Sequence, residues 1–445
     1  MTPAGQRAAL AAVLPAARED LERLVRVPSI SADPAHAGDV EQAAKQVVEL
    51  ALAAGAAQVD VVSAPGGAPA VLASWPAPAG APTVLLYAHL DVQPTGPREQ
   101  WSSPPFEPTE RDGRLYGRGV ADDKAGVLMH LAVLRAFGGA PPVGVVLFVE
   151  GEEEIGSPTL PALLAEHADR LRSDVIVIAD SANAAVDVPS FTTSLRGLVD
   201  CTVEVRLLER PVHSGMFGGP VGDALTGLCR VLATLHDDVG DVAVAGLHRG
   251  TSDAPDLDPA VFVQDVGLRD GGVLIGSGTL PERLWHRPAL TVIGIDAPST
   301  AEASNVLLPR ARAKVSLRLA PGDDSARAAE ALTAHLVAHA PWGAEVIVTP
   351  GAAGEPFALE ATGDVYDLAR AAFAEAYGND VVESGIGGSI PFIAEFARAY
   401  PGATVLVTGV GDPASRWHGI DESLHLGMWE RACLAEMLLL RRLAG

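Results

Sequence analysis

Histidine and carboxylate residues recur in this chain where an extended segment would end and open its polar groups to a site. Tyr87-Ala-His89-Leu-Asp91 closes an apolar run. Residues i and i+2 of an extended segment point to one side, so His89 and Asp91 can act together. Glu150-Gly-Glu152-Glu153-Glu154 follows a second apolar run, Asp180 follows a third, and Trp417-His418-Gly-Ile-Asp421-Glu422 lies in the loop after a fourth. Between the first two sits Gly117-Arg-Gly119-Val-Ala-Asp122-Asp123-Lys124-Ala-Gly126, a glycine-bracketed turn entering a helix. Two histidines with several carboxylates and no cysteine suit zinc, with cobalt or manganese in the same geometry. If one carboxylate bridges two ions, they sit roughly 3.5 Å apart and generate hydroxide at neutral pH. Taken singly, each piece has a plainer reading: a helix N-cap, a solvated acidic run, a turn aspartate, a surface histidine. Their placement together at strand ends is what singles them out.

The elements that must hold these residues follow from hydropathy. Strands are expected at 58–63, 69–75, 83–88, 143–149, 174–179 and 403–408, and helices at 5–26, 39–54, 122–137 and 160–172. The strands at 83–88, 143–149 and 174–179 are apolar almost throughout, as strands buried on both faces of an α/β sheet are. In open sheets of that kind, sites form beyond the carboxyl ends of the strands. From about 198 the rhythm changes: strand 198–207, helix 221–236, a Gly/Asp/Pro-rich stretch to about 285, strands 289–295 and 311–319, helix 323–340 and strand 344–349. That is β-α-β-β-α-β, ferredoxin-like, with one long insertion. The fold class is therefore α/β: a mixed, mainly parallel sheet in residues 1–192 and 354–445, interrupted by the inserted domain 193–353. Residues 350–356 are expected as the return linker.

Composition narrows the function. With 445 residues, 48% of them hydrophobic, two domains with packed cores fit better than one or than disorder. The 32 basic against 56 acidic residues give a net charge of −24, which argues against nucleic acid and anionic lipid as partners. Cys201, Cys229 and Cys433 are scattered, so neither a disulfide framework nor a thiolate zinc site is expected. A cytoplasmic location is the expectation. The chain holds no H-E-x-x-H and no G-x-x-x-x-G-K-[ST], and Ser389 in GGSIP lacks the second glycine of a nucleophile elbow.

HLDV (89–92), GRGVADDKAG (117–126), EGEEEIGS (150–157), Asp180, HSGMFGG (213–219), SLRLAPG (316–322), GGSIP (387–391) and WHGIDE (417–422) occur in this order. Together they resemble the di-zinc metallopeptidase family of carnosinases, bacterial dipeptidases, aminoacylases and succinyl-diaminopimelate desuccinylase, over residues 85–430. The pattern is most similar to the carnosinase-like dipeptidase branch.

The resemblance implies a catalytic domain carrying two divalent ions, Zn2+ with Mn2+ or Co2+ as alternatives, and an inserted lid and dimerisation domain. Asp122 would bridge the ions, His89 and Asp180 would complete one site, and Glu154 and His418 the other. Glu153 would be the general base, and Asp91 would orient His89 from behind. The implied reaction is amide hydrolysis of dipeptides or small peptide-like substrates by a metal-bridging hydroxide. The implied assembly is a homodimer in which His213 reaches the partner subunit's site and stabilises the oxyanion. Arg318 would clamp the substrate carboxylate, with Gly388 and Ser389 at the same end and Asn305 as a further substrate contact. Members of that branch often carry an acidic residue where this chain has Ile386, which keeps an N-acyl-amino-acid hydrolase as the alternative. A non-catalytic binding protein of the same fold is a third reading, against which the intact Glu153, Asp122 and Asp91 stand.

Overall fold

The structure, a computed structural model, describes residues 3–252, 254, 256–387 and 391–445. They form two compact units. The first comprises the described residues of Met1–Thr193, Glu360–Glu383 and Ile390–Gly445, the second those of Ser194–Leu359 and Ser384–Ser389.

The first unit is built on a six-stranded sheet. Its spatial order is Gln58–Val62, Ala70–Trp75, Gly144–Glu150, Thr83–His89, Val175–Ile178, Thr404–Val407. The last four are mutually parallel, and the first two run antiparallel to their neighbours. The sheet is thus mixed and mainly parallel. Gly144–Glu150 and Val175–Ile178 are buried at every residue, which explains their continuous apolar sequence. Helix Lys124–Ala136 packs on this sheet between helices Pro3–Val25 and Leu426–Leu443. Every residue in it except Arg135 is buried. Each of its buried leucines contributes about 2 kcal/mol of apolar transfer, so the helix is pinned from both sides. Four parallel strands put four carboxyl ends at one sheet edge, and His89, Glu150 and Asp180 lie at or just beyond three of them. The single helix expected over 160–172 is two pieces, Leu160–Glu166 and Ala168–Leu171, parted at His167.

The second unit is an antiparallel four-stranded sheet, ordered Ala289–Asp296, Arg310–Leu319, Gly197–Arg206, Glu345–Gly354. Helices Ala224–Ala233 and Ser325–Ala338 pack on it. Strict alternation of buried and less buried residues along Gly197–Arg206 shows one covered face. The connectivity is β-α-β-β-α-β. Residues 350–356 differ from the expected linker: the strand runs on to Gly354, with a bulge between Pro350 and Ala353 that absorbs the proline.

Among the described residues no helix is long and apolar enough to cross a membrane. Cys201, Cys229 and Cys433 are free thiols.

Candidate metal centre

His89 is the last residue of its strand and fully buried. Its Nδ1 lies 3.1 Å from the backbone carbonyl oxygen of Asp91 and 3.4 Å from Asp91 Oδ1. Donation from Nδ1–H to that carbonyl fixes the tautomer and turns Nε2 toward the cluster. The Asp91 carboxylate also has a second task. It accepts the backbone N–H groups of Glu153 (3.2 Å) and Glu154 (3.1 Å), and so holds the short turn Glu153–Ile155 against the end of the His89 strand.

Asp122 occupies the centre. Its Oδ1 is 3.1 Å from His89 Nε2, and its Oδ2 is 3.0 Å from His418 Nε2. His418 Nε2 also lies 3.1 Å from Glu154 Oε2, while Gln93 N–H donates to Glu154 Oε1 at 3.1 Å and sets that carboxylate's orientation. On the other side, Asp180 Oδ2 is 3.9 Å and Glu153 Oε2 4.0 Å from His89 Nε2. Ligand atoms of His89, Asp122 and Glu154, and of His89, Glu153 and Asp180, fall into two groups, each small enough to surround one cation. The Asp122–Asp123 peptide bond is cis.

The electrostatics fit cations. Burial and the neighbouring carboxylates Asp122 and Glu154 push Asp180 up to about 7, against the pull of His89. Burial and the charges of Asp180, Glu154 and Asp122 likewise raise Glu153 well above the usual carboxylate range. Burial opposes charge on His89, but hydrogen bonds to Asp122 and Asp91 outweigh it and raise the imidazole well above its ordinary value. Hydrogen bonds to Asp122 and Glu154 carry His418 up to about 10. Carboxylates this close repel one another unless positive charge is shared among them. Imidazole and carboxylate donors without thiolate are a set that zinc, cobalt or manganese accepts.

Of the other expected residues, His213, Asn305 and Arg318 lie in the second unit. His213 ends the strand Val212–His213, which pairs with Val306–Leu307, and Ser214 N–H donates to the Asn305 carbonyl at 2.9 Å. The structure thus brings His213 and Asn305 side by side, both exposed. Gly215 N–H donates to His213 Nδ1 at 3.0 Å, which leaves Nε2–H as the ring's donor. Arg318 sits on Arg310–Leu319 opposite Leu198 and Ala289. The Ile386 carbonyl accepts the Arg196 N–H at 3.2 Å. Gly388 and Ser389 lie outside the described residues.

Five charged residues of the same motifs, given no individual role by the sequence, are among the most buried in the chain: Arg118, Asp123, Glu150, Glu152 and Glu422. Glu152 accepts Ala68 N–H at 2.9 Å and Thr159 N–H at 2.7 Å, tying the loop at Ala68 to the start of helix Leu160–Glu166. Arg118 and Glu152 stand next to glycine inside ligand-bearing motifs, a weak signal that Glu422, between Asp421 and Ser423, lacks. Lys124 is also buried. Its Nζ donates to the carbonyls of Leu24 (3.1 Å) and Val27 (2.8 Å), and burial lowers its pKa to about 7.

Comparison with known proteins identifies the family. The chain is 34% identical to the cysteinylglycine-S-conjugate dipeptidase of Corynebacterium striatum over 427 residues, 94% of this chain and 93% of that one. In fold it matches the dipeptidase Dug1p of Saccharomyces cerevisiae (TM-score 0.82, 24% identity, 100% of this chain and 98% of that one). It matches human carnosine dipeptidase 1 equally (TM-score 0.82, 24% identity, 100% and 99%). The model of Peptidase family M20/M25/M40 covers residues 85–442, and with it the whole histidine–carboxylate cluster, so the chain belongs to that family and is a metallopeptidase.

Proposed function

We propose that this metallopeptidase is a dipeptidase working with two divalent ions, zinc first among them. The observation that carries the reading is Asp122, whose two carboxylate oxygens each face a different imidazole, at 3.1 Å and 3.0 Å. His89 and Asp180 would hold one ion, His418 and Glu154 the other, with Asp122 between. Such ions supply Lewis acidity toward a carbonyl and a water.

The chain's own residues do the rest. Glu153, raised by burial and flanking carboxylates, takes a proton from the attacking water and returns it to the leaving nitrogen. Asp91 keeps that carboxyl in place through the two N–H groups it accepts. In the second unit, His213 offers Nε2–H to a developing oxyanion, and Arg318 offers a planar fork to the substrate carboxylate. Gly388, Ser389 and Asn305 would contact the same substrate. The assembly is a homodimer through the inserted domain, with His213 acting on the partner subunit's site. An edge strand, Ala289–Asp296, that exposes Val292, Ile293 and Ile295 supports it.

The test is a panel of Ala/Leu dipeptides and N-acetyl amino acids, run with metal analysis of the same sample. Turnover of free dipeptides is expected. Activity confined to the acylated set would replace this reading with an acyl-amino-acid hydrolase, which Ile386 would then explain.

A further inference from the structure

Glu422 is fully buried, and its carboxylate faces a converging set of donors. Oε2 accepts Gly119 N–H at 3.0 Å, and Oε1 accepts Ala121 N–H at 3.0 Å and Asp122 N–H at 3.2 Å. The Glu422 carbonyl accepts Gly117 N–H at 3.0 Å. Backbone N–H groups that converge like this form an anion cradle. Gly119 makes it possible: its φ is +77°, and a Cβ there would lie 2.3 Å from Val92 Cγ1. The anion in the cradle is the chain's own side chain, delivered from about three hundred residues away, and it is bonded directly to the backbone of Asp122.

Arg118 completes the arrangement from the other side. It is 1% exposed, and its Nη1 donates to Glu422 Oε2 at 2.6 Å. Its Nη2 donates to the carbonyls of Pro94 and Gly419, both at 3.2 Å. Gly419 follows His418 directly. One guanidinium therefore ties three segments: the turn carrying Asp122, the loop carrying His418, and the chain just past His89-Leu-Asp91. The His418 loop needs such ties. Arg416, His418 and Asp421 adopt φ of 55°, 58° and 58° without being glycine. Conformations of that kind persist only where the surroundings over-determine them. Here the ties are Arg118 on Gly419 and Ser102, whose N–H and hydroxyl donate to Asp421.

We propose that Glu422 and Arg118 are positioning residues that fix Asp122 and His418 relative to each other, and so set the affinity and geometry of the cation those two residues share. The proposal rests on the reading of Asp122 and His418 as cation ligands. Glu422 acts on Asp122 through backbone N–H groups, and Arg118 acts through the Glu422 carboxylate and the Gly419 carbonyl.

Cobalt binding to the full-length protein tests it. Wild type, Glu422→Gln and Arg118→Lys are titrated with Co2+ in metal buffers, following visible absorption and bound metal. Far-UV circular dichroism and a urea midpoint are taken on the same samples. Glu422→Gln keeps an acceptor oxygen but loses the charge that holds the cradle and Arg118. Arg118→Lys keeps the charge but cannot span Glu422, Pro94 and Gly419 together. In folded variants, one of the two cobalt ions is expected to bind 10- to 100-fold more weakly, on the order of other outer ligand-supporting changes. Its absorption band is expected to change, while the ion held by His89 and Asp180 weakens less, because it shares Asp122 but not His418. A folded variant whose cobalt affinities and spectrum equal wild type would overturn the proposal, even if its urea midpoint falls, because support of the fold alone moves only the midpoint. Arg118→Lys carries the comparison if Glu422→Gln does not fold. Wild type that binds no stoichiometric cobalt would instead overturn the reading of the cluster, and it would do so before any variant is made.

Discussion

Glu153 and Asp180 stand almost equally far from His89 Nε2, at 4.0 and 3.9 Å, so distance does not separate the base from the ligand. Substitution does. Glu153→Gln preserves shape and one acceptor but removes the group that carries the proton. Turnover is expected to fall about 10²- to 10⁴-fold while both cations stay bound, measured as kcat beside metal content. Loss of a cation with the activity would make Glu153 a ligand and overturn the assignment. His89, Glu153, Glu154, Asp180 and His418 were legible because they come after apolar runs, where a polar residue has little structural reason to be, and Asp122 because it lies in a glycine-bracketed turn between two of them. Arg118 and Glu422 were not legible in this way. Their partners are each other, about three hundred residues apart, and backbone groups of remote segments, and no local side-chain pattern records such a pairing.

At the scale of elements, the turn before helix Lys124–Ala136 decides whether Asp122 reaches the cluster. Gly126 lies in the first turn of that helix, where a Cβ would come 2.3 Å from Asp123 Oδ1. Asp123 cannot retreat, because it is fully buried and its Oδ2 accepts His89 N–H at 3.3 Å. Gly126→Ala is therefore expected to lower stability by about 1–3 kcal/mol and to reduce bound metal in the same preparation, despite the better helix propensity of alanine. Urea unfolding and metal analysis check this, and a more stable protein with full metal would refute it. The strands of the first unit were readable from continuous apolar runs. Helix Leu426–Leu443 was not: Met428, Trp429 and every residue of Ala432–Leu440 are buried, so the polar face that marks a helix by its period is nearly absent. Ser423–His425, Arg114–Tyr116 and Thr109–Arg111 form a sheet of three-residue strands, too short for any alternation to register.

For the whole molecule, the division of labour follows the two kinds of strand. Continuous burial along Gly144–Glu150 and strict alternation along Gly197–Arg206 are the same contrast that separates the two rhythms in the sequence. The histidine–carboxylate cluster belongs to the first unit, and His213, Asn305 and Arg318 to the second. If His213 serves the partner subunit, a Glu153→Gln chain and a His213→Ala chain each fail alone, yet a mixed dimer holds one complete site. That site has Glu153 from the His213→Ala chain and His213 from the Glu153→Gln chain. Random exchange at equal concentrations makes half the dimers mixed, each with one of two sites intact. Activity is expected to recover to about a quarter of wild type. Steady-state turnover before and after subunit exchange, beside sedimentation of the same mixtures, measures it. No recovery in mixtures shown to contain mixed dimers would mean that His213 serves its own chain, and full activity of His213→Ala alone would remove it from the chemistry. In either outcome the exposed face of Ala289–Asp296 would have to be explained without catalysis, since a dimer that completes no site supplies only stability.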